Sequence, residues 1–191
     1  MRLTAVIILL TIFLFPEISP AISVNIWETG MTINEVVSKA KEHNIPIARS
    51  GVVTMSRGFD PKLINDDFYK ASSVDYGTKI TERQATICLR FTDESRLVYE
   101  IETKVFAHRL MEGYTKELLK IMKDKYGSPQ EKMDTVFKVY EWMPDKESMI
   151  SMRPYGGTVT ITYTDIGMKR ALEDQRKQKD KDSVGKDAGK F

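Results

Sequence analysis

The residues of this chain that could do chemistry are few and scattered. Glu100 and Glu102 alternate on a strand-like run, so both carboxylates project from one face about 7 Å apart. That separation suits a general acid and base acting across a bond. Two glutamates on the outer face of a hairpin more commonly solvate it, because a working pair needs burial to split its pKa values. His43 falls at the end of a helical stretch, where an imidazolium complements the negative helix end. His108 follows the strand-like Lys104-Val105-Phe106-Ala107, with no base, orienting carboxylate or second ligand at close spacing.

Cys88 is the only cysteine, which excludes an intramolecular disulfide and a Cys-rich zinc site. Within Ala85–Phe91 it reads as a small buried or half-buried thiol rather than a nucleophile. Asp60, Asn65, Asp66 and Asp67 offer oxygens to a cation, but the spacing and closing glutamate of an EF-hand are missing. A turn-rich acidic loop describes them better. Trp27 and Trp142, with Tyr99, Tyr126, Tyr140 and Tyr163, could stack a ligand; at periodic positions such rings fill a core. Nucleophile-elbow, zinc-protease, phosphate-loop and kinase motifs are absent. No catalytic, cofactor-binding or metal-ligating set is therefore assigned.

The elements that position these residues are legible from periodicity. Ile33, Val36, Val37 and Ala40 mark one helical face, Thr32 and Glu35 form a capping box, and Pro46 blocks continuation. A second helix is expected over 116–126, with Leu118, Leu119, Met122 and Tyr126 on one face and Thr115 as N-cap. Gly127 can take the positive φ of a helix end before Pro129. Gly30 to Pro46 and Gly113 to Pro129 have the same spacing, which suggests a duplicated unit.

Strands are expected over 47–55, 86–91, 97–101, 136–142, 149–152 and 158–164. In the last, Val159, Ile161 and Tyr163 face inward and four threonines face water. Residues 56–81 read as a long polar loop with room for one short element. The fold class is α+β: two helix-then-antiparallel-strand units, 27–106 and 113–164, within a domain over 24–168, with the helices on one face of a sheet.

The N-terminus points to a compartment. Leu3 to Phe15 is a 13-residue uncharged run after Arg2, ended by Pro16 and Glu17, shorter than the ~20 residues of a spanning helix. Small residues at Ala21 and Ser23 fit cleavage after either, so 1–23 is expected to be a signal peptide and the mature protein periplasmic or secreted. Residues 169–191 hold eight basic and five acidic side chains, a surplus of +3. With Arg2 and Glu17 cancelling, the body carries −1 of the chain's +2. The sequence pI near 8.5 thus describes a charged tail, expected to fray into disorder, and a near-neutral body lacks the basic face that nucleic acid requires.

The run Trp27-x-x-Gly30-Met31-Thr32-x-x-Glu35-Val36 resembles the helix start of small SmpA/OmlA-like envelope proteins, and is similar to repeats of the β-lactamase-inhibitor-like kind. Gly113 and Thr115 echo it. No lipid-attachment cysteine is present, and Asn44-Ile45-Pro46 stands where the family has a Gly-Pro turn. The resemblance implies a sheet face that binds other proteins without catalysis. The expected function is accordingly an exported, non-enzymatic protein that engages another envelope protein or peptide, through its sheet face or the 56–81 loop. The alternative is a small-ligand hydrolase using Glu100/Glu102 or His108 in a cleft beside that loop.

Overall fold

A computed structural model describes residues 23–52, 57–107, 111–134 and 137–188. The signal segment through Ile22, His108, and residues 53–55 of the strand expected over 47–55 lie outside the described residues.

Two short strands, β1 (Ser23–Val24) and β2 (Trp27–Glu28), lead into α1 (Ile33–Glu42). The capping box is present: the Glu35 amide donates to the Thr32 hydroxyl at 3.2 Å, and the Thr32 amide donates to the Glu35 carboxylate at 2.7 Å. The latter bond is the main reason the Glu35 pKa is lowered. His43 is the C-cap residue, as its position implied. After β3 (Ala48–Arg49) come a 3-10 turn (Pro61–Leu63), α2 (Asp66–Lys70), β4 (Ser73–Ile80), β5 (Arg83–Phe91) and β6 (Val98–Phe106). Then follow α3 (Met111–Tyr126), β7 (Gln130–Asp134), β8 (Phe137–Trp142), β9 (Ser148–Tyr155), β10 (Thr158–Asp165) and α4 (Ile166–Ala188).

The protein is α+β, with eight strands in one antiparallel sheet of order β3-β4-β5-β6-β10-β9-β8-β7. β3 to β6 run in sequence from one edge to the centre, and β7 to β10 do the same from the other edge. The last strand of each series meets its counterpart, β6 against β10. One face is covered. Leu89, Ile101, Val105, Ile150, Met152, Val159 and Ile161 form a single core with Ile33, Val36 and Ala40 of α1 and Tyr114, Leu118 and Met122 of α3. Trp27 and Trp142 belong to this core and spend their ring N–H groups at 2.8 Å on the Tyr76 hydroxyl and the Gly127 carbonyl. The two tryptophans fill space rather than stack a ligand.

Several expectations are corrected. The 56–81 segment is not one loop, because its second half is the full strand β4. Its turn into β5 uses Thr81 and Glu82 at φ 46° and 61°, the left-handed geometry that Gly156 and Gly157 supply between β9 and β10. Without glycine or asparagine, the β4 turn carries no sequence signature. The second helix starts at Met111 rather than 116, so Thr115 lies inside it and does not cap it; its hydroxyl is buried without a partner. Among the described residues of the strand expected over 47–55, the strand is limited to Ala48–Arg49. The charged segment expected to lose order from Gln175 is helical through Ala188. Leu172 of α4 is buried, Arg176 binds Asp93 through two bonds of 2.9 and 2.8 Å, and Lys179 reaches Glu94 at 3.0 Å.

Candidate functional site: an open trough on the sheet

Strand alternation that sends one set of side chains to the core sends the other to the opposite face. Across β6, β10, β9 and β8 that second set lines a trough of about 670 Å³. Its rows follow from register. At one end Phe106 lies beside Thr158, which lies beside Tyr155. Lys104, Thr160 and Arg153 form the next row, and Glu102, Thr162, Ser151 and Glu141 the next. Glu100, Thr164 and Met149 close the far end, where Lys169 of α4 also contributes to the lining.

The far end centres on a buried, paired carboxylate. Glu100 is only 5% exposed. Its carboxylate takes the Arg90 guanidinium at 2.9 Å, Lys169 at 3.7 Å and the Thr164 hydroxyl at 3.3 Å. Arg90 also reaches Glu102 at 3.4 Å, and Lys104 reaches Glu102 at 2.9 Å. Burial pulls the Arg90 pKa down, but the two carboxylates more than offset this and the net shift is upward. Glu100 and Glu102 are therefore not the solvating pair expected of an outer face, and Thr164 is not a water-facing threonine. Register across β5, β6 and β10 brings Arg90 and Thr164 to Glu100, a non-local arrangement that the local sequence does not reveal.

The near end is open and aromatic. Tyr155 is 58% exposed and Phe106 38% exposed, and the Phe137 ring lies 4.2 Å from that of Tyr155. Between the ends, Thr158, Thr160, Thr162 and Ser151 are half-buried. Their hydroxyls have no hydrogen-bond partner among the described residues. A floor of unpaired hydroxyls flanked by aromatic rings is suited to holding a ligand.

The other sequence candidates lie elsewhere or are occupied. Cys88 shares the outer face, across from Asp75 on β4, and burial pushes its thiol pKa up, away from a reactive thiolate. Asp60 accepts from the Lys62 amide and Asn65 from the Phe68 amide, so both oxygens serve as caps. Among the described residues no three His, Cys, Asp or Glu side chains are placed to hold a metal ion. Tyr163 is a core residue whose pKa burial raises strongly. Sequence reasoning missed Tyr155, Phe106 and Ser151. The one available signal was the alternation of β10, which marked its threonines as a face without showing what lies beside them.

Comparison of the chain with protein-family models, with curated proteins and with solved structures finds no match. No described helix is long and apolar enough to cross a membrane.

Proposed function

We propose that this is an exported, non-enzymatic binding protein of the cell envelope, built from two related helix-plus-strand units, whose open sheet face engages another envelope component. The observation that carries the reading is the trough itself. α1 and α3 cover one face, while the other keeps an unfilled concavity floored by hydroxyls that have no partner among the described residues and rimmed by exposed rings. Much of the 56–81 segment is spent on α2 and β4, which favours the sheet face over that segment as the binding surface. The run after Arg2 supports export, and the Trp27-to-Val36 resemblance to SmpA/OmlA-like proteins supports an envelope setting.

The hydrolase alternative draws less support. Glu100 and Glu102 share one guanidinium, and each has a further cation beside it. Neither faces the apolar pocket that separates an acid from a base.

Site-specific photo-cross-linking tests the binding surface. A benzophenone side chain replacing Thr160 should give a discrete adduct in envelope preparations, and one replacing Ile121, exposed on α3, should not. Adducts only from position 121, or equally from both, would sink the reading.

A further inference from the structure

The composition of the trough also selects the chemistry of what fills it, given the reading above that the open face is the binding surface. Its charges are already satisfied. Lys104 pairs with Glu102, Arg153 with Asp134 and Lys132 with Glu141. A strongly charged ligand finds no uncompensated counter-charge here, and would have to break a pair to gain one.

What remains for a ligand is neutral. Along β10 the hydroxyls of Thr158, Thr160 and Thr162 stand two residues apart and, with Ser151 on β9, have no described partner. Each can donate one hydrogen bond and accept others. At the open end the exposed Tyr155 ring is braced by Phe137, and Phe106 flanks Thr158 from the opposite strand. Such a braced, exposed ring offers a flat apolar contact at little ordering cost. An extended peptide satisfies its backbone by pairing with a strand edge, and the trough is a face whose strands are already paired on both sides.

A molecule that suits both parts is uncharged, carries hydroxyl or amide groups around its rim, and presents a flat C–H face. We propose that the trough binds a neutral oligosaccharide, laid along β10 with one pyranose face against Tyr155 and its hydroxyls on the threonine row. The trough volume of about 670 Å³ falls within the roughly 300–1,000 Å³ typical of ligand sites.

The test is a titration of the full mature chain with chitotetraose, cellotetraose and an end-blocked tetra-alanine peptide, followed by NMR of the threonine methyls. A saccharide should shift Thr158, Thr160 and Thr162 saturably. Tyr155→Ala should weaken that binding at least tenfold, and the isosteric pair Thr160→Val/Thr162→Val several-fold, with each variant's unperturbed core resonances showing that it folds. Absence of saturable shifts with both saccharides at millimolar concentration overturns the proposal, as does unchanged affinity in Tyr155→Ala. Shifts with the peptide alone overturn the saccharide while leaving the sheet face as the binding surface. That surface fails separately if position 160 also gives no cross-link.

Discussion

Leu89 and Arg90 are neighbours on β5 and belong to different worlds. Leu89 is fully buried in the core under the helices, whereas Arg90 points to the other face, its side chain 40% exposed, and holds two carboxylates with its guanidinium. The same contrast runs along β10, where Val159, Ile161 and Tyr163 are core and Thr158, Thr160 and Thr162 line the trough. The covered face is closed by apolar packing. The open face is shaped by charge pairing at one end and left unfilled at the other. The covered face supplies most of the stability, and the unfilled end of the open face leaves room for a ligand.

The largest effect should come from the covered face. Leu89→Ala removes a fully buried side chain from the middle of the core and should cost about 2–5 kcal/mol, measured by urea unfolding. An effect below 1 kcal/mol would mean that this face is not the packed one. Next, Arg90→Met leaves Glu100 nearly buried, with Lys169 as its remaining cation at 3.7 Å. The partial exposure of Arg90 reduces the penalty to about 1–3 kcal/mol. Arg90→Met/Glu100→Gln should recover part of it, because the orphaned carboxylate is gone. A double variant worse than the sum of the singles would contradict that pairing.

A smaller effect concerns the grip of α4. The hydrogen bond from Arg176 is the leading reason the Asp93 pKa is lowered below its ordinary 3.8. A depressed carboxylate contributes stability above its unfolded pKa and loses it as pH falls through the folded one. Helicity measured by far-UV circular dichroism should therefore hold from pH 7 to 5 and decline below pH 4. Asp93→Asn should lessen that acid loss. The smallest effect is expected from Tyr155→Ala, since its ring is mostly exposed; stability should stay within about 0.5 kcal/mol. A stability loss as large as that of Leu89→Ala would make Tyr155 a core residue and close the trough.

How much of this was legible depended on distance along the chain. The Thr32–Glu35 box, the inward set of β10 and the β5–β6 hairpin follow from residues within a turn or a strand of one another, and local rules captured them. β7 was missed because all five of its residues are exposed, which leaves no alternation to read. β4 was missed because its turn takes left-handed geometry with Thr81 and Glu82. α4 was cut short because its polar sequence buries little, and its partners Asp93 and Glu94 lie some eighty residues earlier. The trough was illegible for the same reason. Only strand register places Glu102, Thr162, Ser151 and Glu141 side by side.

The claim beneath all of this is that one face of the sheet is closed and the other open. Methyl-resolved NMR with a soluble nitroxide tests it most directly. The account expects strong broadening of the Thr158, Thr160 and Thr162 methyls and little of Val159 and Ile161 on the same strand. Equal protection of both sets would show that the trough is covered, and would contradict the account.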